Sequence, residues 1–168
     1  LLLTDDVIEF VLAEDISVIL SLDGRPETND RHRILNNGAG TYELILPNIK
    51  KMVNANPISY YIRGTFTKKN LDFSEDLRHM AELGFDAISL EPAVGEDNGF
   101  SIQEEDLEQV LAEYGRLTDL LNEYRLAGRK LDFFHYNLNL QRGPCLAKRL
   151  SGCGAGNEYL VVIPNGDI

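Results

Sequence analysis

The regular alternation of helix signals with strand signals constrains the fold of this chain more than any other feature. Four short apolar runs have the composition of buried strands, and an amphipathic segment precedes each of them. The runs occupy residues 16–22, 58–66, 86–91 and 131–136. Because successive strands joined by helices run parallel, the pattern predicts an α/β fold with a mostly parallel sheet. Four strands are too few to close an eight-stranded barrel, so we expect a partial (β/α) barrel with helices on its outer face.

Capping and stop signals set the expected helix boundaries. We expect helices capped by Thr4 and Thr41, the second reaching about residue 54 despite Pro47. Capping boxes at 72–75 and 101–104 predict two more, ended by Gly84 and Gly128. The predicted buried stripe of the last and longest helix is Leu107, Val110, Leu111, Tyr114, Leu117, Leu121 and Tyr124. Residues 23–40, rich in Asp, Asn, Pro and Gly, are predicted to form a loop.

Side-chain alternation predicts two different faces for the sheet. One face is apolar in every strand and should lie under the helices. The other face collects polar side chains, mostly near the carboxyl ends of the strands. They are Ser21, Asp23, Arg63, Thr65, Ser89, Glu91 and His135. Active sites of parallel barrels lie at that end, so the pattern predicts a lumen that binds a polar ligand.

Charge and composition exclude several classes of partner. The 168 residues carry 27 acidic and 16 basic side chains, a net charge of −11. Nucleic acids and anionic membranes are recognised by clustered cations, so neither is expected to be a partner. No apolar run is long enough to cross a bilayer, and two cysteines do not make a disulfide framework. We therefore expect a cytoplasmic protein.

Three stretches carry a resemblance to a known family. Residues 21–26 (SLDGRP), 30–33 (DRHR) and 38–42 (GAGTY) resemble the fourth strand and following loop of radical S-adenosylmethionine (AdoMet) peptide maturases. Residues 91–94 (EPAV) resemble the sixth strand of that family. Residues 153–168 resemble the start of its SPASM domain, whose opening β-hairpin belongs to the part that binds auxiliary iron–sulfur clusters. The chain is most similar to maturases of six-cysteine peptides (the SCIFF type), which are related to the anaerobic sulfatase-maturating enzymes.

The resemblance implies roles for six residues. Ser21 and Asp23 would lie beside the ribose and amino acid portion of AdoMet, and Arg63 would bind its carboxylate, with Glu91 in the same cofactor site. Cys145 and Cys153 would be the first two thiolate ligands of an auxiliary four-iron four-sulfur cluster. Residues 1–140 would then belong to the barrel and 141–168 to the auxiliary domain. The substrate implied is a ribosomally made, cysteine-containing peptide or a sulfatase.

One departure from the family decides what the chain can do alone. The Cys-x-x-x-Cys-x-x-Cys motif, which binds the cluster that cleaves AdoMet, does not occur in this sequence. The chain begins at Leu1 without Met and stops after an Asn-Gly turn signal. We therefore interpret it as an internal fragment of a longer enzyme. The fragment itself is expected to bind neither AdoMet nor a cluster and to be inactive.

Two other functions fit the polar face. In the first, Asp23, Glu91 and His135 ligate a divalent metal in a fragment of an isomerase-like or nuclease-like barrel. In the second, the chain is a non-catalytic domain whose polar face contacts a partner. An open four-stranded sheet also leaves unpaired strand edges, so we expect the isolated chain to self-associate.

Overall fold

The structure is a computed structural model that describes residues 3–96, 99–137 and 160–167. The chain divides into two compact units, Leu1–Tyr136 and Asn137–Ile168. The domain boundary predicted after residue 140 falls outside the described residues and stays a prediction.

A four-stranded, wholly parallel sheet forms the centre of the first unit. Its strands are β1 (Val18–Ser21), β2 (Tyr60–Phe66), β3 (Ala87–Pro92) and β4 (Asp132–Phe133), in the spatial order β1-β2-β3-β4. All three pairings are parallel, which confirms the predicted fold class. In the part that the structure describes, β1 and β4 each pair with one neighbour and the sheet is open.

Five helices of the described residues connect and cover these strands. They are α1 (Asp5–Ala13), α2 (Pro26–His32), α3 (Tyr42–Asn54), α4 (Phe73–Glu82) and α5 (Leu107–Leu126). The helix α2 lies inside residues 23–40, which were predicted to form a loop. It has no apolar periodicity, but Pro26 in its first turn and basic residues in its last turn favour a short helix. None of the described helices is long and apolar enough to span a membrane.

In the part of the chain that the structure describes, the helices pack on one face of the sheet. The core that they form with the strands includes the strand residues Leu20, Leu22, Ile62, Phe66, Ile88 and Leu90. On the opposite face of β1, the side chain of Ile19 is 65% exposed. The alternation predicted for the strands is therefore present, and it separates a helix-covered face from a bare one.

The helices α1, α3 and α4 begin where the sequence predicted them, but their caps differ. Thr4 donates its hydroxyl to the Asp6 carboxylate. Thr41 donates its hydroxyl to the Arg33 carbonyl, and the first N–H groups of α3 are instead capped by Asp30, whose Oδ1 accepts from Thr41 N and Tyr42 N at 2.9 and 2.8 Å.

The two predicted capping boxes are also wrong. Asp72 makes no side-chain cap, because its carboxylate pairs with Arg25 at 2.8 Å. Before α5 the box forms between Gln103 and Asp106, two residues later than predicted, and a 3₁₀ turn (Glu104–Asp106) leads into the helix.

The buried stripe of α5 is rotated from the predicted one. Leu107 and Leu111 are 49% and 71% exposed. The residues that α5 buries are Glu113, Leu117, Leu120 and Tyr124. The rotation is explained by Glu113, which accepts hydrogen bonds from Ser74 at the start of α4 and thereby turns its own face inward.

The fourth strand is shorter than predicted. Its pairing with β3 ends at Phe133, and Phe134–Tyr136 form a 3₁₀ turn. In the second unit, the turn signal at Asn165-Gly166 is present as a turn. Gly166 N donates to the Ile163 carbonyl at 2.8 Å and Ile163 N donates to the Asp167 carbonyl at 2.9 Å, with Gly166 at φ +89°. The apolar run of residues 158–163 predicts a further strand; its residues 160–163 are not in a ladder within the described part, and 158–159 lie outside it.

Candidate functional site

The bare face of the sheet carries a row of polar side chains. Ser21 of β1 is in register with Arg63 of β2, and Arg63 is in register with Ser89 of β3. Thr65 is in register with Glu91 one step closer to the carboxyl ends. The structure therefore places Arg63, Thr65, Ser89 and Glu91 side by side on this face, as the alternation in sequence predicted. Ser21 of β1 lies next to Arg63.

Asp23, directly after β1, is held by contacts from two neighbouring segments. Its carboxylate accepts two hydrogen bonds from Arg33, at 2.7 Å from Nε and 3.0 Å from Nη2. It also accepts from the backbone N–H of Thr65 at 3.0 Å. Asp23 is 5% exposed, so it joins the ends of β1 and β2 rather than projecting freely into the site. The sequence singled out the segment that contains Arg33 but not this pairing.

Glu91 is the centre of a second polar cluster at the end of β3. Ser89 Oγ donates to Glu91 Oε1 at 2.7 Å, and His135 Nε2 lies 3.2 Å from Glu91 Oε2. The other ring nitrogen of His135 lies 2.8 Å from the Tyr114 hydroxyl. Burial would raise the pKa of Glu91, but the hydrogen bonds from Ser89 and His135 and the charge of Arg63 outweigh it and lower that pKa. Glu91 is therefore an anion at neutral pH. Tyr114, on α5, was assigned to the core from the sequence and was missed as a partner of this cluster.

A shallow concavity of about 230 Å³ lies over the centre of this face. It is lined by Ile19, Tyr61, Arg63, Ser89, Glu91 and Phe134. The rings of Tyr61 and Phe134 meet edge to face with centroids 5.8 Å apart and form an apolar wall. Arg63 is exposed, and within the described residues its guanidinium makes neither a hydrogen bond nor an ion pair. The concavity thus offers a cation, an anion and a flat apolar surface to one small ligand.

The metal site that Asp23, Glu91 and His135 would form is not favoured by the geometry. Glu91 and His135 are in contact, but the Asp23 carboxylate is occupied by Arg33 and Thr65. Among the described residues no group of three His, Cys, Asp or Glu side chains is placed to hold a metal ion. Cys145 and Cys153, the predicted cluster ligands, lie outside the described residues.

The fold is similar to that of solved structures of anSMEcpe, a radical AdoMet anaerobic sulfatase-maturating enzyme. Native anSMEcpe with bound AdoMet and Kp18Cys peptide matches with a TM-score of 0.65 and 16% identity, over 79% of this chain and 37% of that one. Native anSMEcpe with bound AdoMet matches with a TM-score of 0.66 and 18% identity, over 80% of this chain and 37% of that one.

These matches confirm, at the level of the fold, the resemblance that the sequence motifs indicated. The chain spans a little over a third of the length of the solved proteins it matches. No protein-family model matches the sequence, and no curated protein matches it either. The likeness is therefore one of three-dimensional structure at low sequence identity.

Proposed function

We propose that this chain is part of a radical AdoMet peptide maturase and forms the wall of its cofactor barrel on which AdoMet lies. The intact enzyme would modify cysteine-containing peptides, by thioether formation as in maturases of six-cysteine peptides or by sulfatase-type oxidation. The single observation that carries the proposal is the polar face with the exposed Arg63 lining its concavity, on a fold similar to proteins solved with bound AdoMet and, in one case, a Kp18Cys peptide.

The residues on the bare face fit AdoMet chemically. The guanidinium of Arg63 would bind the carboxylate of AdoMet, because a guanidinium matches a carboxylate in two hydrogen bonds. Ser21, beside it in register, offers a hydroxyl to the ribose. The apolar wall of Tyr61 and Phe134 suits the flat adenine ring. Bound AdoMet would supply, on reductive cleavage, the group that abstracts a hydrogen atom from the substrate.

Asp23 and Glu91 have different tasks in this proposal. Asp23 holds Arg33 and the Thr65 N–H and so fixes the ends of β1 and β2 against each other beneath the ligand. Glu91 keeps a negative charge near Arg63 and would attract the positively charged part of AdoMet, while the guanidinium binds the carboxylate of the ligand. Both residues act on the ligand by position and charge.

The iron–sulfur clusters enter the proposal only through Cys145 and Cys153. We propose these as ligands of an auxiliary cluster; both lie outside the described residues, which contain no metal-binding group of three His, Cys, Asp or Glu side chains. Two cysteines cannot supply the three thiolates of the radical-generating motif. The 168-residue chain alone is therefore proposed to be inactive, and the radical-generating motif to come from the longer protein. A cytoplasmic location belongs to the same proposal.

The test is made in the longer protein recovered from the coding sequence on either side of this segment. Arg63→Ala is expected to weaken AdoMet binding by about 30-fold, which corresponds to ~2 kcal/mol for a charged hydrogen-bonded pair. Equilibrium dialysis measures the affinity, and anaerobic release of 5′-deoxyadenosine with a reductant measures cleavage. Arg63→Lys should recover part of the affinity, because it keeps the charge but not the two-pronged geometry.

A matched control separates this effect from a general loss of charge. Arg125, exposed at the end of α5, is changed to Ala and should leave AdoMet affinity as it was. The proposal fails if Arg63→Ala binds AdoMet as tightly as the unchanged protein. It also fails if the 168-residue chain releases 5′-deoxyadenosine on its own.

We further propose that the isolated chain self-associates through β1. Val18 and Leu22 donate their N–H groups to Ser59 and Arg63 on the β2 side, so alternation directs the Ile19 N–H to the open edge. Such an unpaired edge is a template for another strand.

Ile19→Pro removes an N–H donor from the open edge without breaking a hydrogen bond between β1 and β2. It is therefore expected to shift the chain from oligomer to monomer in sedimentation velocity. Ile19→Val, which keeps the donor, should stay associated; a monomeric unchanged chain would contradict the proposal.

A further inference from the structure

Arg63 and Glu91 carry opposite charges on the same face of the sheet. Arg63 is in register with Ser89, and Glu91 lies two residues further along β3 on the same side. Strands lie about 4.8 Å apart and rise about 3.3 Å per residue, which places the two Cα atoms about 8 Å apart. Two long side chains can bridge that distance, and the charge of Arg63 acts on the Glu91 carboxylate. The strand register alone therefore predicts an Arg63–Glu91 ion pair.

In the structure, both oxygens of the Glu91 carboxylate are engaged by other side chains. Ser89 Oγ donates to Oε1 at 2.7 Å, and His135 Nε2 lies 3.2 Å from Oε2. His135 is held from its other side, since its Nδ1 lies 2.8 Å from the Tyr114 hydroxyl on α5. We call Tyr114, His135 and Glu91 the Tyr-His-Glu network. Among the described residues, the ionisable partner of Glu91 is thus His135 and not Arg63.

The charge of Glu91 fixes the direction of the hydrogen bonds in the Tyr-His-Glu network. Burial raises the pKa of Glu91, but its hydrogen bonds and the neighbouring guanidinium outweigh that effect, so Glu91 is an anion at neutral pH. An ionised carboxylate only accepts, so His135 Nε2 carries a hydrogen atom and donates it. In a neutral imidazole the other nitrogen is then an acceptor, and Tyr114 donates to it. Burial raises the pKa of Tyr114, which keeps its hydroxyl protonated.

Aromatic packing holds the imidazole of His135 in this orientation. The ring centroids of Phe133 and Tyr114 lie 5.0 and 6.1 Å from that of His135. The Tyr114 ring in turn meets Phe73 edge to face with centroids 5.5 Å apart, and both Phe73 and Phe133 belong to the buried core. The Tyr-His-Glu network is therefore anchored in the core and reaches the bare face of the sheet only at Glu91.

We infer that Tyr114 and His135 are positioning residues that hold the Glu91 carboxylate away from Arg63. The concavity then presents a guanidinium and a carboxylate that do not neutralise each other, and these two charges fit a ligand that has both an anionic and a cationic group. The inference rests on the proposed function, because AdoMet carries a carboxylate and a positively charged sulfonium. Without the Tyr-His-Glu network, Glu91 would turn to Arg63 and compete with the carboxylate of the ligand.

The direction of the hydrogen bonds is tested in the 168-residue chain by nitrogen-15 NMR of the imidazole side chains. The chain has three histidines, so the signal that is missing from His135→Phe identifies His135. At about pH 8, above the ordinary pKa of an imidazole, a hydrogen atom should be found on Nε2. Tyr114→Phe should lower the fraction of that tautomer, because nothing then donates to Nδ1. A His135 that carries its hydrogen on Nδ1 alone in the unchanged chain would overturn the inference.

The effect on the ligand is measured in the longer protein by equilibrium dialysis with AdoMet. His135→Phe keeps an aromatic ring but removes the donor to Glu91, and it should weaken AdoMet binding about tenfold. His135→Gln should recover most of the loss, because its amide group supplies an N–H donor again. In a protein that already carries Glu91→Ala, His135→Phe should cause no further loss, because His135 acts through Glu91.

A second tyrosine–histidine pair provides the matched control. The Tyr42 hydroxyl lies 2.6 Å from His79 Nε2, and neither residue lines the concavity, so His79→Phe should leave AdoMet affinity as it was. Three binding results would overturn the inference: unchanged affinity in His135→Phe, an equal loss in His79→Phe, or losses at His135 and Glu91 that add in full. Failure of the proposed function is seen separately. The unchanged longer protein would then not bind AdoMet, and the tautomer of His135 would still test the Tyr-His-Glu network.

Discussion

Replacing Asp76 with alanine is expected to lower the free energy of unfolding by about 3 kcal/mol. The Asp76 side chain, on α4, is fully buried. It accepts hydrogen bonds from Arg25 N at 3.0 Å, Arg25 Nε at 2.8 Å, Thr28 Oγ1 at 2.9 Å and Asn70 Nδ2 at 3.2 Å. Removing the carboxylate leaves all of these donors without their acceptor in a closed site, and that loss makes the effect large.

The same carboxylate fixes the loop that leads from β1 into α2. Gly24, at φ +127°, passes so close to it that a Cβ at residue 24 would lie 2.5 Å from Asp76 Oδ1. Asp23, which pairs with Arg33, is the preceding residue in that loop. Loss of Asp76 should therefore loosen the Asp23 end of the candidate site as well as the fold.

Urea denaturation followed by circular dichroism measures the change in unfolding free energy. The matched control is Asp72→Ala, in the turn just before α4. Asp72 also pairs with Arg25, but its side chain is 51% exposed, so its removal should cost less than about 1 kcal/mol. Equal effects of the two substitutions would show that burial of Asp76 is not what stabilises the loop.

Local sequence patterns were sufficient for the order of elements and for the two faces of the sheet. Period-two alternation in β1 and β2 placed Ser21 and Arg63 on one face, because strand geometry fixes which side chains share a side. The helix stop at Gly84 was also predictable, and its φ of +95° is the conformation that glycine favours. These features depend on residues adjacent in sequence.

Contacts between distant residues were not predictable in the same way. Asp30 caps α3 from 12 residues before Tyr42, and Arg25 takes Asp72 away from its expected cap at a separation of 47 residues. The rotation of α5 likewise follows from Glu113 reaching Ser74, 39 residues earlier. Capping rules describe what a side chain does when only its neighbours compete for it. In this fold, residues distant in sequence are brought close by the connections between strands, and they compete with the local cap for the same side chain.

Gly64→Ala is expected to destabilise the chain by about 2 kcal/mol and to displace the end of β1. Gly64 is buried in the middle of β2. A Cβ there would lie 2.6 Å from the Leu22 carbonyl oxygen, 2.7 Å from Leu90 Cδ2 and 2.9 Å from Asp23 Cα. Two of these three atoms belong to the backbone of the segment leaving β1, which cannot rotate away as a side chain would. The added methyl group must therefore push Leu22 and Asp23 off β2.

The matched control is Gly115→Ala, for which the opposite sign is expected. Gly115 lies in the interior of α5, where a Cβ would meet nothing within 4 Å, so alanine should stabilise the chain by about 1 kcal/mol through helix propensity. Both changes are measured by urea denaturation, with AdoMet binding in the longer protein as a second measurement. Gly64→Ala should weaken AdoMet binding because Asp23 moves, and Gly115→Ala should not. If Gly64→Ala is as stable as the unchanged chain, β1 and β2 are not packed as closely as the site requires.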